Sequence, residues 1–293
     1  GDHRQLPHLL ETRIEQEIKL SVEDKTKEIL GISMFERLLK YVHDQKKIDG
    51  VNRYAKLDVQ FRMHPGLAKF VSDTFYKLDG GFTSGVTDMM FPSEITRYGK
   101  KLAAWKNIPY GDGPERGGQS KSRPVEAAWI ASEARRLLDE YPSLSVGIIT
   151  FYSDQVKCLH KALLELNVMS IDPSSGICGI ADAYRITKAV NGESPKERFR
   201  VGTVDAFQGK EFDIVLLSMT RSNDYCAEDE KSVRRKYGHL VIENRLCVAM
   251  SRQKRLLIVA GDADMLKNAS ASKTVPGLVK YLEFCGGADG III

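Results

Sequence analysis

Three polar side chains in this sequence have the chemistry to handle phosphate, and they lie far apart along it. Near the start, "GDHRQLPH" sets Asp2 and Gln5 on one short turn. A glutamine amide can donate to a phosphate oxygen and orient an attacking water. Arg62, in "VQFRMHP", and Arg252, in "AMSRQKR", carry planar, permanently charged forks that match phosphate oxygens. Each has an ordinary alternative when taken singly: a turn residue for Gln5, a surface charge for Arg62, a helix C-terminal cation for Arg252. A second group suits a polyanion. Thr150 and Thr203 stand where apolar runs end, and hydroxyls at such places hold phosphates without reading sequence. Tyr152 reads equally as a base-stacking ring or as a core residue, and Ser251 adds a hydroxyl beside Arg252.

These residues need a scaffold, and from Ser122 onward the sequence describes one. A helix over "RPVEAAWIASEARRLLDEY" leads to a strand, "SVGIITF"; a second helix, "SDQVKCLHKALLEL", has Ser153 as its expected N-cap. "FRVGTVDAF" and "DIVLLSMT" read as strands, and a helix around "IENRLCVAMSRQ" precedes a last strand, "RLLIVAGD". Continuous Val/Ile/Leu strands alternating with helices indicate an α/β fold whose parallel sheet is covered on both faces. Ligands are then expected at the carboxyl ends of the strands. Upstream, residues 11–30 read as a solvated helix or flexible stretch, "SMFERLLKYV" as an amphipathic helix, "HDQKKIDGVNRYAK" as a linker, and "PGLAKFVSDTFY" as a helix opened by Pro65. Residues 79–120 read as a long surface excursion and 221–240 as a charged loop. The basic run "KSVRRKYGH" within it is expected to be solvated, with a strand-binding patch as the alternative.

The bulk numbers narrow the class. The 293 residues are 42% hydrophobic and 28% charged, enough for a sizeable core, and the net charge of +4 permits a polyanionic partner without demanding one. No run approaches the roughly 20 apolar residues that span a bilayer, so no membrane partner is expected. Five cysteines with no CxxC pair argue against a disulfide framework and against zinc, and they suit a reducing compartment, cytoplasmic or, in a eukaryote, nuclear. The six histidines have no metal-ligand spacing, so no metal site is assigned. No GxGxxG follows a strand, which speaks against a dinucleotide enzyme.

Four stretches in one order carry a resemblance. "GDHRQLPH" resembles motif III of the superfamily 1 helicases, "VQFRMHP" motif IV, "VGTVDAFQGKEFDIVLLSMTRSN" motif V and "ENRLCVAMSRQKR" motif VI, with "GIITFYSDQ" similar to motif IVa. The wording of motif IV is similar to subgroup B, which includes the helicase of nonsense-mediated decay and its bacterial relatives. Phe61 stands for the usual tyrosine, His8 for a second proline and Cys247 for asparagine.

The resemblance implies two RecA-like domains with ATP and magnesium bound in the cleft between them. Residues 1–55 would be the end of the first domain with a linker, and residues 56–293 the second domain. It implies catalytic roles for Gln5, Arg62 and Arg252, nucleotide contacts for Asp2, Phe61, Gly209 and Glu211, and nucleic-acid contacts for Thr150, Tyr152, Thr203 and Ser251. No GxxxxGK[ST] occurs, nor an acidic pair on a strand end. In the family those elements precede motif III, so the expectation is a piece of a longer motor whose phosphate loop and magnesium ligands lie upstream. Such a piece would be inactive alone, its partners being the missing first domain and single-stranded nucleic acid, DNA or RNA, travelled 5′ to 3′. The alternative is a helicase-derived module that binds nucleic acid or protein without turning over ATP.

Overall fold

A computed structural model describes residues 2–6, 33–91, 95–187 and 194–293, which divide between two compact units, Gly1–Asp58 and Val59–Ile293. In the first unit, the Asp2 carboxylate accepts from the Arg4 amide at 2.9 Å and from Gln5 Nε2 at 2.8 Å, closing the expected turn. Helix α1 (Met34–Asp49) starts at Ser33, whose hydroxyl accepts from the Glu36 amide, and stops at Gly50 with φ 73°. It therefore runs well into the segment expected to be a linker. Residues 11–30 lie outside the described residues.

In the second unit, β1 (Val59–Gln60) is followed by α2 (Pro65–Val71) and pairs in parallel with β2 (Thr83–Ser84). The main elements are then β3 (Ala103–Asn107), α3 (Pro124–Glu140), β4 (Val146–Thr150) and α4 (Ser153–Glu165). A small antiparallel pair, β5 (Met169–Ile171) and β6 (Cys178–Ile180), precedes β7 (Phe199–Thr203) and β8 (Phe212–Ser218). There follow α5 (Glu230–Tyr237), α6 (Glu243–Ala249), β9 (Gln253–Gly261), α7 (Ala269–Thr274), α8 (Pro276–Cys285) and β10 (Gly290–Ile292).

Six strands form one parallel sheet in the order β10-β3-β9-β8-β4-β7. Alternation of side chains splits the apolar runs between two cores. Ile148, Ile214, Leu216 and Ile258 join α3 and α4 on one face. On the other, Gly147 leaves room for Phe207 and Phe212, and Tyr281 of α8 donates its hydroxyl to the Leu257 carbonyl at 2.5 Å. This is the expected α/β fold, a parallel sheet sandwiched by helices.

Three local expectations need correction. Residues 79–120 are not only an excursion, because they contribute β3, whose Ala103, Ala104 and Trp105 are fully buried. Alanine is a poor strand former, and pairing with β9 on one side and β10 on the other overrides that weakness. The charged loop over 221–240 contains α5, closed at its start by an Asp229–Ser232 capping box. Ser153 is the first residue of α4 and not its cap: Tyr152 holds that position, and the Ser120 hydroxyl accepts from the Asp154 amide at 3.0 Å.

The carboxyl edge of the sheet is built around buried polar groups. Arg123, at the head of α3, donates to the carbonyls of Ile108, Pro109 and Gly113 at 2.8–2.9 Å and pairs with Glu126 at 3.4 Å. Glu126 accepts from the Ser218 hydroxyl and from the Thr220 amide at 2.8 Å. Thr220 has φ 63°, a left-handed conformation that a β-branched residue resists, and the Glu126 bond helps to hold it there. Gln155 completes the set, accepting from the Arg123 amide at 2.7 Å and donating to Ser218 at 2.9 Å.

Removing Glu126 should therefore be severe. Glu126→Ala leaves an unpaired buried guanidinium and frees Thr220, an expected loss of about 3–5 kcal/mol in urea unfolding. Burial pushes the Glu126 carboxyl up to about 7, against the pull of Arg123. The folded chain thus holds a proton that the unfolded chain has lost, and this contribution to stability is full at low pH and disappears as pH rises through about 7. Glu126→Gln should flatten that part of the stability–pH curve; an unchanged curve would mean that the carboxyl does not titrate there.

Candidate functional site

The loop between β1 and α2 is folded by one side chain. Gln60 Oε1 accepts from the amides of Arg62 and Met63, both at 2.8 Å, while its Nε2 donates to the Met63 carbonyl and to Ser84 Oγ. The His64 amide donates to the Lys254 carbonyl at 2.8 Å, which ties the loop to the start of β9. Met63 is buried and Phe61 and Arg62 point outward. Phe61 is 70% exposed and lies over Gly85, where an added Cβ would meet the ring at 2.3 Å.

Arg62 donates from Nε to Glu211 at 3.1 Å and from Nη1 to the Ser251 carbonyl at 3.1 Å. Lys254 reaches the other oxygen of Glu211 at 2.6 Å. Burial works to raise the Glu211 carboxyl, but Lys254 and Arg62 outweigh it and keep it below its ordinary value. Arg252 is only 1% exposed: its fork donates to the carbonyls of Val248 and Lys210 and to Ser251 Oγ. The fold thus gathers Arg62, Glu211, Ser251 and Arg252, drawn from three separate stretches of sequence, near the amino ends of β8 and β9. Gly209 sits just before this cluster at φ 75°, facing open space. Asp2 and Gln5 belong to the first unit, where they bond to each other.

The opposite end of the sheet holds Thr150 and Thr203, paired side by side at the ends of β4 and β7. Thr150 is fully buried, its hydroxyl 3.1 Å from that of Thr220, and Thr203 is half-buried. Ser251 is not with them, since it precedes β9 at the amino end. Tyr152 is 3% exposed; its hydroxyl accepts from the His239 amide at 3.0 Å and from Arg221 Nη1 at 3.4 Å. Of its two open readings, a base-stacking ring or a core residue, the structure gives the buried one.

Sequence reasoning gave no role to Arg221 or to Glu115, and the structure joins them at 2.8 Å. Glu115 also accepts from the Ser222 amide and from Asn223 Nδ2, both at 2.9 Å. Arg221 had a signal, as it directly follows a fully buried strand run where ligands are expected. Glu115 had none, lying far away in an irregular segment. Gly238, with φ 55°, is required by close approach: an added Cβ would fall 2.2 Å from the Tyr152 hydroxyl and 2.4 Å from Arg221 Nη1. Tyr152, Arg221 and Gly238 line a cleft of about 620 Å³ at the carboxyl edge. Among the described residues, no three of His, Cys, Asp and Glu come together to hold a metal ion.

Comparison with known proteins gives the family. The profile of the AAA_12 family, described as an AAA domain, matches residues 30–264. The chain is 28% identical over 255 residues to "Helicase required for RNAi-mediated heterochromatin assembly 1" of Schizosaccharomyces pombe, covering 82% of this chain and 19% of that protein. It is 28% identical over 274 residues to human "NFX1-type zinc finger-containing protein 1", covering 91% and 11%. It is 27% identical over 274 residues to "Regulator of nonsense transcripts 1 homolog" of Neurospora crassa, covering 91% and 20%. The chain thus spans a fifth or less of the length of these relatives. The profile match takes in the loop of Arg62, the strand ends of Thr150 and Thr203, and Arg252 before the last long strand, and the chain belongs to the AAA_12 family of AAA domains.

Proposed function

We propose that this chain is the second motor half of an ATP-dependent helicase or translocase, acting on single-stranded nucleic acid. The observation that carries the reading is the division of labour across one sheet. An arginine cluster with an adjustable charge balance lies at the amino ends of β8 and β9, and a hydroxyl-bearing, basic edge lies at the carboxyl ends.

Arg62 suits the first task. Its guanidinium is about a third exposed and held by a partly exposed carboxylate and one carbonyl, contacts that a phosphate oxygen can replace at small cost. Lys254 would keep Glu211 neutralised when Arg62 leaves, and Glu211 would accept from the ribose hydroxyls. Phe61, exposed above Gly85, offers its ring to the base. ATP with its magnesium ion supplies the transferable γ-phosphoryl group and neutralises its oxygens; the carboxylates that hold magnesium are expected upstream. Gln5 keeps the role of sensing the γ-phosphate.

β8 and β9 can carry the consequence. β8, with seven residues, is a rigid rod of roughly 23 Å at about 3.3 Å per residue. It starts just after Glu211 and ends at the residues bonded by Glu126. β9 starts just after Arg252 and ends at Asp262, which accepts from the Ser222 hydroxyl at 2.7 Å. A shift imposed at the nucleotide end would thus reach the strand ends without local unfolding. The rival reading, a binding module without turnover, draws on Arg252, whose fork is already occupied by carbonyls. The five free cysteines are compatible with a reducing compartment.

The 293-residue chain alone should show no steady ATP hydrolysis, and contaminant-free turnover by it would sink the two-domain site. In the intact protein, Arg62→Ala should lower turnover about 1,000-fold while changing stability by under about 1 kcal/mol. Arg62→Lys should not restore it, because the planar fork is lost; near-normal turnover would return Arg62 to the role of a surface charge. Single-turnover unwinding should favour duplexes with a 5′ tail, and a preference for 3′ tails would reverse the assigned direction.

A further inference from the structure

The basic run in "KSVRRKYGH" is not absorbed by the helicase motifs. Its two arginines lie on α5 and face a cleft whose other wall is the segment 118–121. Arg235 places its guanidinium carbon 4.1 Å from the centre of the Tyr225 ring, a close cation–π stack. Tyr225 is half-buried, and Arg234, on the same helix turn, is exposed. Arg234 pairs with Glu230 one turn earlier at 2.9 Å with both side chains largely exposed, a contact that costs little to exchange. Lys121 lines the opposite wall, largely buried, with its ammonium on the Gly117 carbonyl at 2.9 Å and 3.7 Å from Glu115, contacts that a phosphate would have to replace.

We propose that this cleft is a further subsite for single-stranded nucleic acid. In it one unstacked base lies against the Tyr225–Arg235 pair, with its flanking phosphates between Arg234 and Lys121. The assignment rests on the nucleic-acid half of the function proposed above and extends it to residues outside the motifs. Three observations favour it. The volume of about 620 Å³ falls in the usual range for ligand sites. A flat aromatic–guanidinium surface flanked by cations matches a base and its backbone better than an acidic peptide, which needs charge but no plane. The cleft also continues from the edge that carries Thr150 and Thr203, because its floor includes Tyr152 and Arg221.

Arg221 itself has a different task. Glu115 neutralises it at 2.8 Å, and it donates to the Arg235 carbonyl, so it is a positioning residue that fastens the end of α5 to the strand ends. Gly238 allows that approach. Of the two cations left to meet phosphate, Arg234 is exposed on the rim, and Lys121 would exchange its Gly117 and Glu115 partners.

The test uses the 293-residue chain and a fluorescein-labelled oligothymidylate, read by anisotropy across a salt series. Tyr225→Ala should weaken binding about ten-fold, the effect of losing one base stack, with an unchanged salt slope. Tyr225→Phe should bind as the parent does, which separates stacking from a loss of folding. Paired Lys121→Ala and Arg234→Ala changes should lower the salt slope by about 1.4, roughly 0.7 for each phosphate contact on a single strand. An oligonucleotide carrying 4-thiothymidine should crosslink to Tyr225. If the unaltered chain binds strand but Tyr225→Ala binds equally well and no crosslink forms there, the subsite is wrong and the proposed function stands. If the unaltered chain binds no strand, both fall. Displacement of strand by polyglutamate, with tighter polyglutamate binding that Tyr225→Ala abolishes, would make the cleft an acidic-protein site and overturn the proposal.

Discussion

A guanidinium and a carboxylate, those of Arg123 and Glu126, meet out of contact with water where β8 leaves the sheet. Two ions taken from water are costly unless the remaining hydrogen-bonding capacity is also met. Here it is met: Arg123 reaches three carbonyls in the segment after β3, and Glu126 reaches the hydroxyl and amide that end β8. One pair therefore connects β3, α3 and β8, and Gln155 adds α4. Thr220 keeps its left-handed backbone within this set, and the chain leaves the sheet in the direction that brings Arg221 to Glu115. The geometry of the carboxyl edge depends on the pair.

The amino end of the sheet is organised differently. Gln60 and the Lys254 carbonyl shape the Arg62 loop, but Arg62 itself is held only by partners it can leave. A buried and fully satisfied network rigidifies, whereas a partly exposed ion pair exchanges at low cost. The same fold thus combines a stiff carboxyl edge with a yielding cluster at the amino end, the combination that the proposed strand and phosphate roles call for. Arg252 stands between these extremes, with a guanidinium as deeply buried as that of Arg123 but at the end where Arg62 is free to move.

Helices at 124–140 and 153–165 and the strands from 146, 199, 212 and 253 were legible because their apolar residues recur with the right period over enough length. β3 was not. "AAWKN" is short and begins with two weak strand formers, and only the hydrogen bonds of β9 and β10 make it a strand. β10 itself is three residues at the end of the chain, too few for a pattern to show. Helix α5 hid within a charged run because its stability comes from a capping box and a close approach at Gly238, not from an apolar stripe.

By itself the sequence determined the α/β alternation, the membership of the motif set and which side chains are the candidates for handling phosphate. These depend on residue types and local spacing, which a linear reading preserves. Tertiary structure alone decided which of them share a place. Ser251 joined Arg62 and left Thr150, Tyr152 became a wall, and Glu115 became the partner of a residue 106 positions away (221 − 115). Such neighbours arise because parallel strands bring all their carboxyl ends to one edge and all their amino ends to the other. A residue just before a strand and one just after it are thus separated by the whole length of the strand, however near they are in sequence.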